Sequence, residues 1–313
     1  MKKIFTTMIL VAAALTAQGR ETIVIASPYN PGYSGQGALM AVMQHANSAQ
    51  SKYNFVLENK PGAGGFIALR HSLSNPDNTV GIIAAGGVEL FETKQIQESD
   101  FVPVHGIGDA CWAVVTNLPA DEAQGIKSIK PPVGTKNIFI GAVGVGSISH
   151  LMGLEVAERA NIPGVTVLFK SGTEAFMNLA ANNGVNTTID DVNTVNGMKE
   201  KNPNIKMVAT ICKDRHPKAQ HIPTLVEQGL THVPPVINIV LAPRAMPESK
   251  RKEIGNLLDA ATVAVGRDTI FEMSGFRSPV FDNISAQKFY DTRITQIKNL
   301  RKKYAKEIQS SLK

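Results

Sequence analysis

Serines and glycines, rather than nucleophiles or metal ligands, are the residues of this chain whose types and spacing suggest chemistry. They gather in the loops Tyr29-Asn30-Pro31-Gly32-Tyr33-Ser34-Gly35, Gly144-Val145-Gly146-Ser147-Ile148-Ser149-His150 and Lys170-Ser171-Gly172-Thr173, with Gly86-Gly87 and Asp190-Asp191 at the ends of other apolar runs. Most of these loops follow a run of strand length and precede a run with helical spacing. A strand-to-helix turn leaves unpaired backbone N–H groups at a helix start, where the helix dipole favours an anion. Glycine lets that backbone come close to a ligand, and a serine hydroxyl adds a donor. The chemistry implied is capture of a small anionic group.

Each position also has a plainer reading. The loop carrying Tyr29, Gly32, Ser34 and Gly35 could be an ordinary turn, but prolines stiffen it and it follows the first strand directly, which favours a ligand. Ser147 or Ser149 could cap the next helix while also meeting a ligand, and His150 suits packing better than contact. Lys170 is the best-placed cation, although a lone lysine is more often solvated, so the N–H groups of Ser171, Gly172 and Thr173 are the stronger candidates. Asp191 reads as a helix cap, leaving Asp190 to accept a donor from a ligand or an ordered water.

Catalytic and cofactor patterns are missing from the sequence. There is no GxSxG elbow, and Gly141, Gly144 and Gly146 do not have GxGxxG spacing. His216 and His221 have no carboxylate or cysteine set to complete a metal site. The chain therefore reads as a non-enzyme with no metal and no cofactor.

Composition sets the frame. The 313 residues suffice for two ordinary domains, and 43% hydrophobic with 19% charged residues indicates a globular protein. Lys2 and Lys3, the apolar run Ile4 to Leu15 and the small residues of Ala17-Gln18-Gly19 read as a cleaved secretory signal. The run is short for a membrane span, which disfavours an N-terminal anchor. Removing Lys2 and Lys3 takes the formal charge from +6 to +4. That excess fits an anionic ligand, and much of it lies in the tail around Lys298 to Lys306, a solvated helix face. Nucleic acid is not an expected partner. Cys111 and Cys212 are the only cysteines, and two separately buried thiols is the reading favoured over a disulfide.

The elements that must position these loops alternate strand with helix, an α/β arrangement of mainly parallel sheets flanked by helices. Thr22 to Ala26, Phe55 to Leu57 and Val80 to Ala85 read as strands of a first series. Trp112 to Thr116 reads as its exit, with the crossover at Thr116 to Gln124. A second series contains Ile138 to Val143, Val165 to Phe169, Val185 to Ile189 and Ile205 to Ile211. Thr224 and Glu227 have capping-box spacing and predict a short helix. Val236 to Ala242 is the return strand, and a long amphipathic helix starts near Ser285. The expected division is 1–19 signal, 20–118 plus 241–313 first lobe with the C-terminal helix, and 119–240 second lobe. Two lobes joined by two crossings hold a small ligand between them and close by hinge bending.

One further stretch is more specific. Glu58-Asn59-Lys60-Pro61-Gly62-Ala63-Gly64-Gly65 resembles the signature of the periplasmic solute-binding proteins of tripartite tricarboxylate transporters, the Bug receptor family. Pro31-Gly32, Asn75-Pro76-Asp77, Phe101-Val102-Pro103-Val104, Gly146-Ser147-Ile148-Ser149-His150-Leu151, Phe169-Lys170-Ser171-Gly172 and Ile222-Pro223-Thr224-Leu225-Val226-Glu227-Gln228-Gly229 are similar to family segments in the same order. The resemblance implies a two-lobe type II periplasmic-binding-protein fold that binds a small organic carboxylate and passes it to the membrane components of such a transporter. It implies contacts from Tyr29, Gly32, Ser34, Gly35, Gly86, Ser147, Ser149 and Ser171. The alternative is an extracytoplasmic sensor that docks on a receptor kinase. The sequence departs from the family pattern at Tyr33, Gln36, Met40 and Asn186, so an altered pocket shell is expected.

Overall fold

The computed structural model of the chain describes residues 19–31, 34–84, 87, 89–92, 95–230 and 236–311. All of the expected signal 1–19 except Gly19, and the candidates Gly32 and Gly86, lie outside the described residues.

In chain order the elements are β1 Glu21–Ser27, α1 Ser34–Ala49, β2 Tyr53–Asn59, α2 Phe66–Ser74, β3 Thr79–Ala84, the single turn α3 Glu89–Glu92, β4 Phe101–Ala110 and β5 Trp112–Thr116. Then come β6 Ile138–Val143, α4 Ile148–Ala160, β7 Gly164–Phe169, α5 Gly172–Ala180, β8 Thr187–Asp191, α6 Val192–Lys199 and β9 Lys206–Ile211. The chain finishes with β10 Val236–Pro243, α7 Glu248–Val265, α8 Arg267–Ser274, α9 Ala286–Lys303 and α10 Ala305–Ser310.

The strands form two five-stranded sheets, ordered β2-β1-β3-β10-β4 and β7-β6-β8-β5-β9. The sheets are mixed: β10 runs antiparallel to β3 and β4, and β5 runs antiparallel to β8 and β9. In each sheet the reversed strand is the one that arrives from the other sheet. β10 is buried along its whole length, as expected of an apolar run between two neighbours.

Three expectations need correction. Trp112–Thr116 does not close the first series; it hydrogen-bonds between β8 and β9, so the chain changes sheet at Cys111. The strand before that change, β4, carries Pro103, Gly106 and Gly108 and pairs with β10 through register shifts, which hides its period. Cys111 and Cys212 are not separate thiols but a disulfide, with Cα atoms 5.0 Å apart. Thr224 and Glu227 exchange both capping-box bonds, Thr224 N–H to the carboxylate at 2.7 Å and Glu227 N–H to the hydroxyl at 3.0 Å. Only a run of turns follows, ending at Gly229 with φ 85°.

Candidate functional site

The reversed strands fix how the two sheets meet. Gly108 on β4 is opposite Asn238 on β10, which is opposite Ala84 at the end of β3. Four residues later Trp112 is opposite Asp191, the last residue of β8. Four residues span at most about 13 Å. The C-terminal edges of both sheets therefore face each other across the crossing, the edge at which open α/β sheets bind ligands. Strands β1 and β3 end on one side of the crossing, and β6, β7 and β8 end on the other.

On the first side, Tyr29 donates its phenol hydrogen to Asn238 Oδ1 at 2.6 Å. Asn59, at the end of β2, donates to the Tyr29 carbonyl at 3.0 Å. The glycine-rich stretch after Asn59 turns through left-handed angles at Gly62, Ala63, Gly64 and Gly65, and Gly65 packs on Pro28. Its evident work is to brace the first loop. Ser34 opens α1 and Gly35 is buried in its first turn.

On the second side, Ser147 is the N-cap of α4 and its hydroxyl accepts from His150 N–H at 3.3 Å. Ser149, 6% exposed, accepts from Val143 N–H at 2.9 Å, and the two serine oxygens are 3.0 Å apart. Gly146 N–H donates to His150 Nδ1 at 2.9 Å, so the hydrogen of the neutral ring sits on Nε2. Burial, then the nearby Arg301 guanidinium, hold His150 below the usual imidazole range. Neither α1 nor α4 has an acidic residue in its first turn, so no side-chain carboxylate of the first turn answers either helix start.

The family model described as the tripartite tricarboxylate transporter family receptor matches residues 40–303. This chain belongs to that family. Solved structures with the same fold include the periplasmic binding protein BugD, 18% identical over 91% of this chain and 97% of that one, with TM-score 0.66. MatC from Rhodopseudomonas palustris, with bound malate, is 18% identical over 90% of this chain and 98% of that one, with TM-score 0.67. An R. palustris protein with adipate is 20% identical over 90% and 96%, with TM-score 0.68. A comparison with curated proteins finds no match. Among the described residues of this family member, no helix is long and apolar enough to cross a membrane.

The remaining candidates separate in the receptor. Ser171 is the N-cap of α5 and accepts from Glu174 N–H at 3.2 Å, while Glu174 folds back to accept from Lys170 N–H at 3.0 Å. A carboxylate thus already occupies the start of α5, and the Lys170 side chain is exposed. Gly172 faces Asp190: a Cβ there would lie 3.9 Å from Asp190 Oδ2. Burial pushes the half-buried Asp190 carboxyl up to about 7, against the hydrogen bond from Asp191 N–H and with the Asp191 charge adding to the rise. Asp191 caps α6 through Asn193 N–H and Thr194 N–H at 2.9 and 3.2 Å.

Two positions change meaning in place. Asn186 precedes β8 at the end away from the crossing, where it accepts from Phe139 N–H at 2.9 Å. Its departure from the family pattern therefore alters a clasp between strands at the end of β8 away from the crossing. Asn238, 2% exposed, was missed by sequence reasoning; its signal is a lone amide within the apolar run Val236 to Ala242.

Proposed function

We propose that this family member is an exported receptor that traps a small organic carboxylate between its two lobes and delivers it to the membrane components of a tripartite tricarboxylate-type transporter. The observation that carries this reading is the pair of helix starts, α1 from one sheet and α4 from the other. Both follow strands that end at the facing edge, and neither has an acidic residue in its first turn. Backbone N–H groups and hydroxyls hold a carboxylate by charge-assisted hydrogen bonds, with no arginine clamp required. On this reading Tyr29, Ser34 and Gly35 approach from one side and Ser147, braced by Ser149, from the other, while Gly32 and Gly86 remain candidates from the sequence alone. Asp190 beside Gly172 would receive a donor group of the ligand or a water, while Ser171 and Lys170 form the rim. The segment before Arg20 would direct the chain to the periplasm.

Malate and adipate, bound by two proteins of the same fold, are both dicarboxylates and head the set of ligands to try. The test is a thermal-shift and calorimetric panel of mono-, di- and tricarboxylates. A ligand at 100 times its dissociation constant adds about 2.7 kcal/mol of stability, enough to move the melting point clearly. A panel in which no acid shifts melting or releases heat on titration would overturn the carboxylate reading.

A further inference from the structure

The two peptide groups that flank the Gly146 Cα are each held by a side chain. The Gly146 N–H goes to His150 Nδ1 at 2.9 Å, within its own lobe, and the Gly146 carbonyl accepts from the Arg301 guanidinium. Arg301 belongs to α9, 155 residues further along the chain. The contact is close: a Cβ on Gly146, which has φ 71°, would lie 2.3 Å from Arg301 Nη1.

α9 is rooted on the other sheet. Near its start Phe289 packs on Gly106 of β4, and Tyr290 donates its hydroxyl hydrogen to Glu98 at 3.1 Å. Arg293 pairs with Asp109, and Lys298 pairs with Glu98 at 2.8 Å. The last turn then leaves that sheet for α4, where Lys303 reaches Glu155 at 2.7 Å and Glu158 at 2.8 Å. Tyr304, the C-cap, donates to Glu158 at 2.6 Å. Eighteen residues of helix span about 27 Å, enough to bridge the two sheets.

We propose that Arg301 is a positioning residue for the acid site at the start of α4, fixing the Gly144–Ser149 loop through the Gly146 carbonyl from a helix anchored on the opposite lobe. This rests on reading the start of α4 as an acid site. The two bonds fix the two peptide planes that meet at the Gly146 Cα. The carbonyl shares its plane with Ser147 N–H, which points the opposite way from Arg301, so the Arg301 contact sets the aim of that group. The neutral ring of His150 suits this arrangement, because only an unprotonated Nδ1 accepts from Gly146 N–H. α9 thereby acts as a strap: its root follows the first lobe, its end sets the ligand loop of the second, and a ligand bridging the lobes meets a loop already in register with both.

The test compares the full exported protein with Arg301→Gln, Arg301→Lys and Lys303→Ala variants. Lys303→Ala breaks the neighbouring ion pairs of the same helix turn but leaves Gly146 untouched. Hydrogen exchange of the peptide covering Gly144–Ser149, without ligand, should quicken about tenfold or more in Arg301→Gln, less in Arg301→Lys and not in Lys303→Ala. With malate as probe, affinity should fall about tenfold to a hundredfold in Arg301→Gln and be partly restored in Arg301→Lys. Unchanged exchange in Arg301→Gln, or equal loosening in Arg301→Gln and Lys303→Ala, would overturn the proposal. If malate, adipate and citrate all fail to bind the wild type, the carboxylate reading fails, while exchange in the loop still decides the role of Arg301.

Discussion

Cys111 and Cys212 are joined at the point where the chain passes between its two sheets. Cys111 is the single residue between β4 and β5, and Cys212 follows Ile211, which pairs with Trp112. The bond therefore ties the outgoing crossing to the start of the returning one. Closing a loop of this length, with a sequence separation of 101, removes denatured-state entropy worth up to about 4.7 kcal/mol in the chain-entropy account. A Cys111→Ser, Cys212→Ser double variant should lose about 2–4 kcal/mol against denaturant. Thiol titration of the unreduced, denatured wild type should find no free thiol; two free thiols would show that the bond is not formed.

Asp190 and His216 should pull the stability of the ligand-free protein in opposite directions as pH changes. Burial pushes Asp190 up to about 7, and burial, with Lys218 beside it, brings His216 down to about 4. A carboxyl raised above its unfolded value of about 3.9 binds protons better in the folded state. Its contribution is full below about pH 4 and is lost as pH rises through about 7. A histidine lowered from about 6.5 behaves oppositely: its contribution is present above about 6.5 and is lost as pH falls through about 4. The trends offset each other at acid pH, leaving Asp190 to dominate between about pH 6.5 and 8. Asp190→Asn should remove a loss of about 3 kcal/mol between about pH 4 and 6.5, where His216 opposes it, and of about 1 kcal/mol between about pH 6.5 and 8, where it stands alone. Urea midpoints at several pH values decide the matter, and parallel curves for variant and wild type would mean an ordinary carboxyl.

Tyr29→Phe tests the brace on the first loop. The change strands the Oδ1 of buried Asn238, and an unsatisfied buried acceptor costs about 1–3 kcal/mol. The expected result is a lower melting point without ligand together with weaker binding of whichever panel acid binds the wild type. A melting point equal to wild type would show that the 2.6 Å bond does not hold the loop in solution.

Local chemistry makes much of this legible in the sequence itself. Ser147, one of two serines read as a possible cap, and Asp191 cap α4 and α6, because capping is decided within three residues; Ser171, read only as a ligand contact, caps α5 in the same way. The return strand was legible as an apolar run. What stayed hidden was set by distant partners. β4 lost its period to Gly106 and Gly108, where Pro279 and the Arg277 carbonyl come too close for any side chain. The disulfide, the Tyr29–Asn238 bond and the Arg301–Gly146 bond join residues 101, 209 and 155 positions apart in sequence, and no local pattern reports such pairs. The acid at the start of α5 was hidden differently: Glu174 reads as a first-turn helix residue, and only its fold back onto Lys170 N–H shows that it occupies that helix start.

The serine pair gives the sharpest division of labour in the candidate site. Ser149 Oγ accepts from Val143 N–H and Ser147 Oγ accepts from His150 N–H, so both oxygens are engaged as acceptors. Two hydroxyl hydrogens remain, and the contact between the oxygens at 3.0 Å uses one of them. Ser149 is the more buried of the two, so the favoured arrangement has Ser149 donating to Ser147 and Ser147 donating outward to a ligand. Ser147→Ala should then remove a helix cap, worth about 0.5–2 kcal/mol, and also a ligand donor, weakening affinity more than tenfold. Ser149→Ala should lower stability by a similar amount through the unpaired Val143 N–H, with a smaller effect on affinity because the outward hydrogen of Ser147 survives. Calorimetric titration beside thermal unfolding separates the two effects. A larger affinity loss in Ser149→Ala than in Ser147→Ala would reverse the assignment and make the buried serine the ligand donor.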